Sequence, residues 1–198
     1  SGLEGDILAM QITKSYVRNI LLYDMTRAPF FYEGSECVVK RDLQVPDLGT
    51  FHFLGFIDRL DKRDGMLNII DYKTGGAELE FKDMAHVFHR SKNQDKALQT
   101  LLYCWMIQYS LPELLTDHSE MVPHIYPVRS MAKTEAVQTL IRAKGVADFS
   151  FTPEVETEFV EGMTNLLQEI FNPEIPFVAT TECSTRCKSC AFVGLCKG

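Results

Sequence analysis

The chain has 198 residues, 45% of them hydrophobic, 24% charged and 11% aromatic, which bounds it to one domain with at most a small appendage and excludes wholesale disorder. No apolar run approaches the ~20 residues that a membrane-spanning helix needs, and the opening Ser1-Gly2-Leu3-Glu4-Gly5-Asp6 lacks a basic stretch followed by an apolar core, so no signal peptide and no membrane association are expected. A net charge of −7 excludes a strongly basic nucleic-acid coat, but not an enzyme that confines its positive charge to one cleft.

In chain order, residues 7–25 keep helical spacing through Ile7, Leu8, Ile12, Tyr16, Ile20 and Tyr23, and Ala28-Pro29 ends that helix. Residues 36–45 read as a strand closed by the turn Pro46-Asp47-Leu48-Gly49. A β-rich run from Phe51 to Asp61 is followed by Asp64-Gly65, a strong hairpin signal, and by a second strand from Met66 to Lys73. Residues 77–93 look like a loop with helical pieces, and 94–110 like a helix closed by Pro112. Val122 to Val128 reads as a strand interrupted by prolines, and 133–144 as helix or loop. Thr152-Pro153-Glu154 is a cap with proline in the first turn, opening a helix to about Phe171 whose Phe159, Met163, Leu166, Leu167 and Ile170 read as core.

The hairpin carries the chemistry. A two-residue Asp64-Gly65 loop pairs Arg63 with Met66 and, followed down the ladder, Asp58 with Asp71. Cross-strand partners share a face with Cβ atoms about 5 Å apart, and Lys73, two residues past Asp71, joins them. Two like charges so close are costly unless a cation offsets them. Hard oxygen ligands suit Mg²⁺ or Mn²⁺, and a lysine beside such an ion can orient an attacking water. The plain alternative is a solvent-facing hairpin dressed in mixed charges. The apolar runs Leu67-Asn68-Ile69-Ile70 and Phe53-Leu54-Gly55-Phe56-Ile57 that lead into the two aspartates oppose it. A one-residue slip in register would put the aspartates on opposite faces.

Gly55-Phe56-Ile57-Asp58-Arg59-Leu60-Asp61 followed by Ile69-Ile70-Asp71-Tyr72-Lys73-Thr74-Gly75 resembles the PD-(D/E)XK nuclease superfamily, and more narrowly the RecB/AddB-type nuclease domain of bacterial helicase–nucleases. The resemblance implies an α/β fold with a restriction-endonuclease-like mixed central sheet flanked by helices. It implies a Mg²⁺- or Mn²⁺-dependent deoxyribonuclease in recombination and double-strand-break repair, with DNA as substrate and a helicase region in the same chain or a partner subunit. Asp58 and Asp71 would bind the metal, the backbone carbonyl of Tyr72 would add a ligand, and Lys73 would assist the water. The family's Gln-x-x-x-Tyr is matched by Gln99 and Tyr103, which share a helix face. Family members also carry a His on a helix well upstream. His52, the only His before Asp58, does not match it, so the chain, which also lacks an initiator Met, reads as an N-terminally truncated piece of a larger protein. A non-catalytic DNA-binding or scaffolding module of the same fold is the rival; the intact Asp58, Asp71 and Lys73 argue against it. Glu36 reads as a surface residue before it reads as a further carboxylate of the site.

Of six cysteines, Cys183, Cys187, Cys190 and Cys196 crowd into the tail from 176 to 198, whereas Cys37 and Cys104 are scattered. This is not the spread of a secreted disulfide framework, and it points to a reducing, cytoplasmic setting. The spacing of Cys187, Cys190 and Cys196 resembles the C-terminal triplet of iron–sulfur members of the family, with Cys183 a local substitute for the fourth ligand. A [4Fe–4S] cluster, Zn²⁺ and a metal-free packed clasp all fit it. Between Lys82 and Lys96, Lys82, Arg90, Lys92 and Lys96 outnumber Asp83 and Asp95, with His86, His89, Phe81 and Phe88 interleaved. This stretch suits phosphate contacts and a solvated loop alike. Arg59, Lys62 and Arg63 at the hairpin tip read as solvated.

Overall fold

The computed structural model describes residues 2–75, 78–89, 94–115, 120–131, 141–146, 149–176 and 190–196. Helix α1 (Gly2–Arg27) leads into β1 (Phe31–Val45), β2 (Gly49–Arg63) and β3 (Met66–Lys73); then come β4 (Glu80–Phe81), α2 (Met84–Phe88), α3 (Asp95–Ser110), β5 (Met121–Pro127), β6 (Arg142–Ala143), α4 (Pro153–Phe171) and α5 (Val193–Cys196). Among the described residues no helix is long and apolar enough to cross a membrane.

The β2–β3 turn forms where its chemistry demands. Asp64 and Gly65 both take positive φ, 53° and 80°, the two-residue geometry whose twist matches the flanking strands and which glycine adopts without penalty. It closes on the Arg63–Met66 pair, and the antiparallel ladder runs in the expected register to Arg59–Ile70. β5 pairs parallel with β3 from Leu67–Met121 to Lys73–Pro127, a connection that requires a crossover, supplied by α3. The mixed sheet has the order β1-β2-β3-β5. β5 is therefore an edge strand, and its prolines 123 and 127 do not interrupt it.

β3 lies between β2 and β5, as its unbroken apolar run requires, and its alternate residues sort to two faces. Ile69 joins the main core with Leu101, Trp105 and Met106 of α3 and Phe159 of α4. Ile70 joins a second cluster with Tyr126, Val128 and Met131, against which Tyr16, Ile20 and Tyr23 of α1 pack. So α3 covers one face and α1 the other. Only the second half of α1 packs: Ile7, Leu8 and Ile12 are exposed. α4 begins as its sequence dictates, with Thr152 Oγ1 accepting from the Val155 N–H at 3.4 Å and Pro153 next, but of its expected core stripe Ile170 is exposed.

Strand β1 begins at Phe31, five residues before the sequence pattern shows it. β4 and β6 form a separate two-stranded parallel sheet where a loop with helical pieces and a helix or loop were expected; two residues are too few to show a period. A helical piece expected in 77–93 is α2, capped by Asp83 Oδ1 accepting from the His86 N–H at 2.8 Å.

Candidate active site

β2 does not alternate regularly where the first aspartate sits. Ile57 and Leu60, three residues apart, are both wholly buried in the α3-side core, whereas a regular strand would turn them to opposite faces. The break falls at Asp58-Arg59. Across the ladder, between the Ser35–Arg59 and Cys37–Ile57 pairs, Glu36 adopts φ 51°, a left-handed conformation uncommon for a non-glycine residue. The ladder also shifts register between Tyr32 and Gly34. This irregular stretch aims Asp58 at the end of β3.

There the sequence-predicted residues come together. Asp58 Oδ2 accepts a hydrogen bond from the Tyr72 N–H at 2.7 Å. Lys73 Nζ donates to Asp71 Oδ1 at 3.0 Å and stands 2.8 Å from Oδ2. That second contact is an ion pair without hydrogen-bond geometry, so Asp71 Oδ2 is buried and accepts no hydrogen bond. Asp71 is 2% exposed, and burial pushes its carboxyl above the usual carboxylate range; Lys73 opposes that shift, Asp58 adds to it, and Lys96 also pulls it down. A buried, ionisable oxygen without a full set of partners is costly, and a cation would satisfy it.

From α3, Gln99 Nε2 donates to the Tyr103 hydroxyl oxygen at 2.8 Å. Burial raises the Tyr103 phenol, Gln99 opposes this, and Asp71, Asp58 and Glu36 raise it further; the phenol thus stays protonated, with its hydrogen free to be given elsewhere. Gly55 admits this ring: a Cβ there would stand 2.8 Å from both Tyr103 Cε1 and Met106 Cε. Lys96 lies one turn before Gln99 on α3, and its charge favours the ionised Asp71 carboxylate. Glu36, expected at the surface, is exposed, yet its charge reaches Tyr103.

The reverse face of the same joint holds groups that sequence spacing does not bring together. Arg59, expected to be solvated, is 8% exposed. It donates through Nη1 to Asp24 Oδ2 and, at 3.2 Å, to the Tyr72 hydroxyl, and through Nη2 to Asp61 Oδ2 at 2.8 Å. Arg27 donates to Asp61 Oδ1 at 3.0 Å and Oδ2 at 3.2 Å, and to the Tyr126 hydroxyl at 2.6 Å. Asn68 Nδ2 donates to Asp61 Oδ1 at 3.0 Å, and His124 Nε2 lies 2.8 Å from Asn68 Oδ1. Burial and the nearby Arg27 push His124 down to about 3, so it is neutral.

Other expected residues stand elsewhere. His52 is exposed and paired with Asp42 at 2.8 Å. Phe81 is buried against Phe149 and Phe88 packs on Phe159, so these aromatics serve the core and not bases; Lys82 is exposed, and Arg90 and Lys92 lie outside the described residues. So do Cys183 and Cys187. Cys190 is exposed with a free thiol, and Cys196 ends α5. A cleft of about 690 Å³ between α2 and α4, lined by Asp83, Phe88, Glu158 and Glu161 among others, contains none of the site residues.

Among the described residues no group of three or more His, Cys, Asp or Glu could hold a metal. Among the described residues Asp58 and Asp71 are the two carboxylates at the end of β3, and a pair of this kind suits Mg²⁺ or Mn²⁺, which is bound through one or two carboxylates and keeps several waters. The sequence model of the PD-(D/E)XK nuclease superfamily matches residues 8–197, nearly the whole chain. No curated protein matches.

Proposed function

The chain belongs to the PD-(D/E)XK nuclease superfamily, and from that premise we propose that it is a Mg²⁺- or Mn²⁺-dependent deoxyribonuclease domain of the RecB/AddB type. It would work with a helicase, in the same chain or a partner subunit, in recombination and double-strand-break repair. The observation that carries the metal-dependent activity is Asp71: almost wholly buried, one oxygen without a hydrogen bond, and beside Asp58 with Lys73 as its only contacting cation among the described residues. The helicase association and the repair setting follow from the resemblance of the Gly55–Asp61 and Ile69–Gly75 motifs.

Asp58 and Asp71 would hold the ion, with the Tyr72 carbonyl as a further ligand. When bound, the ion supplies Lewis-acid stabilisation of the charge that grows on the phosphate. Lys73 Nζ, fixed on Asp71, orients a water for in-line attack on phosphorus. The water oxygen forms the new P–O bond as the ester P–O bond breaks; the attacking water releases its proton to solvent, and the departing alkoxide takes one from solvent. Gln99 fixes the Tyr103 hydroxyl oxygen from behind, so that the phenolic hydrogen is donated to a phosphate oxygen.

The test is cleavage of linear single- and double-stranded DNA in Mg²⁺ or Mn²⁺, with Asp71→Ala beside wild type. Metal-dependent cleavage that the variant loses supports the proposal; identical DNA loss in both overturns it and leaves a non-catalytic module.

A further inference from the structure

Main-chain pairing between β2 and β3 stops one step short of the aspartates: the last ladder pair is Arg59–Ile70. On the other side of β2, Glu36 is in a left-handed conformation and the strand's alternation is broken. Two carboxylates that repel each other thus sit where the backbone gives the least support. Two side-chain bonds replace the missing rung, and both end on Tyr72. On the α3 side Asp58 Oδ2 accepts the Tyr72 N–H at 2.7 Å. On the α1 side the neighbouring Arg59 donates to the Tyr72 hydroxyl at 3.2 Å. Tyr72 is therefore gripped from both faces by consecutive residues of β2.

We propose that the Arg59–Tyr72 hydrogen bond is a positioning tie that keeps Asp58 opposed to Asp71, with α1 as its anchor. This rests on the metal-site assignment above. The anchor is rigid because Arg59 has nowhere to go. Its guanidinium is held by Asp24 and Asp61 and lies over the Phe30 ring, 4.8 Å from its centroid. Asp61 is wholly buried and is itself clamped by Arg27 and Asn68. Asp24 and Arg27 are in the last turn of α1, so the docking of that helix on one face sets the spacing of two metal carboxylates on the other. Partners one shell removed from a metal hold its ligands in place, and their loss costs affinity as well as rate.

A purely structural role would make every bond in this buried network equivalent, and two hydroxyls separate the cases. Tyr72→Phe removes one acceptor of Arg59; Tyr126→Phe removes one acceptor of Arg27 in the same network and keeps the Tyr126 ring packed on Tyr72. Mn²⁺ binding to metal-free protein is read by electron paramagnetic resonance, and heat stability by circular dichroism. Tyr72→Phe is expected to weaken Mn²⁺ binding about tenfold, and Tyr126→Phe to lower the melting temperature while changing Mn²⁺ affinity less than about threefold. Wild-type affinity in Tyr72→Phe, or equal weakening in both variants, overturns the tie. If wild type binds Mn²⁺ no better than Asp71→Asn does, the metal site falls and the tie with it.

Discussion

On the α1 side of the β2–β3 joint, Asp24 and Asp61 face Arg27 and Arg59. On the α3 side, Asp58 and Asp71 meet, among the described residues, Lys73 at contact distance and Lys96 further off. The first set pairs two carboxylates with two guanidiniums at its centre: Asp61 accepts four hydrogen bonds, from both Nη atoms of Arg27, from Arg59 and from Asn68. Its open ends are Asp24 Oδ1, 3.5 Å from Arg27 without a hydrogen bond, and Arg59 Nε. The second set has one cation at contact distance for two carboxylates, and an unbonded carboxylate oxygen at its centre. Buried charges persist when they are paired; the balanced face holds the helix on, and under the proposed function the other face is completed by a cation and a phosphate.

The contrast is broken most sharply at its two centres. Asp71→Asn should lower the single-turnover cleavage rate on the order of 10³- to 10⁴-fold, the loss of about 4–5.5 kcal/mol of transition-state stabilisation, without destabilising the metal-free fold. Asp61→Ala should act first on stability. It removes the carboxylate shared by two buried guanidinium groups and should cost about 3–5 kcal/mol in urea unfolding, while the protein that remains folded binds Mn²⁺ about as Tyr72→Phe does. Lys73→Ala should slow cleavage about 10²-fold and leave Mn²⁺ binding no weaker than in wild type, because the competing ammonium is gone. Gly55→Ala, whose Cβ would press on Tyr103 and Met106, should cost about 1–3 kcal/mol of stability and slow cleavage through the displaced phenol.

The smallest effect is in the pH dependence of stability. Asp71 has its folded-state carboxyl raised. Below the ordinary Asp value of about 4 it is protonated folded and unfolded alike, and the folded state's preference for the proton is fully expressed. As pH climbs from there through the raised value, the folded protein must accept a buried charge and that contribution is lost. Metal-free wild type should therefore lose stability relative to Asp71→Asn over this range in thermal unfolding, and Mg²⁺ should restore it. A flat difference between the two would contradict the assignment.

The unbalanced face was legible in the sequence because short-range rules write it. Asp64-Gly65 fixes the turn and hence the register that opposes Asp58 to Asp71; the two-residue period adds Lys73; four-residue spacing puts Gln99 with Tyr103. The balanced face was not legible. Asp24 and Arg59 are 35 residues apart in sequence, and nothing local says that α1 docks on the back of β3. Arg59 therefore reads as a solvated tip residue although it lies under a helix. Glu36 gives no warning of its left-handed backbone, because it is not glycine. Phe81 and Phe88 sit among charges in a stretch that reads as a phosphate-contacting or solvated loop, but their packing depends on Phe149 and Phe159, far along the chain.

The central claim is tested most directly by anomalous diffraction from crystals grown in Mn²⁺. It predicts a strong peak between the Asp58 and Asp71 carboxylates, about 2.1 Å from an oxygen of each, that is absent in Asp71→Asn. Mn²⁺ bound only elsewhere, with Lys73 alone neutralising Asp71, would contradict it.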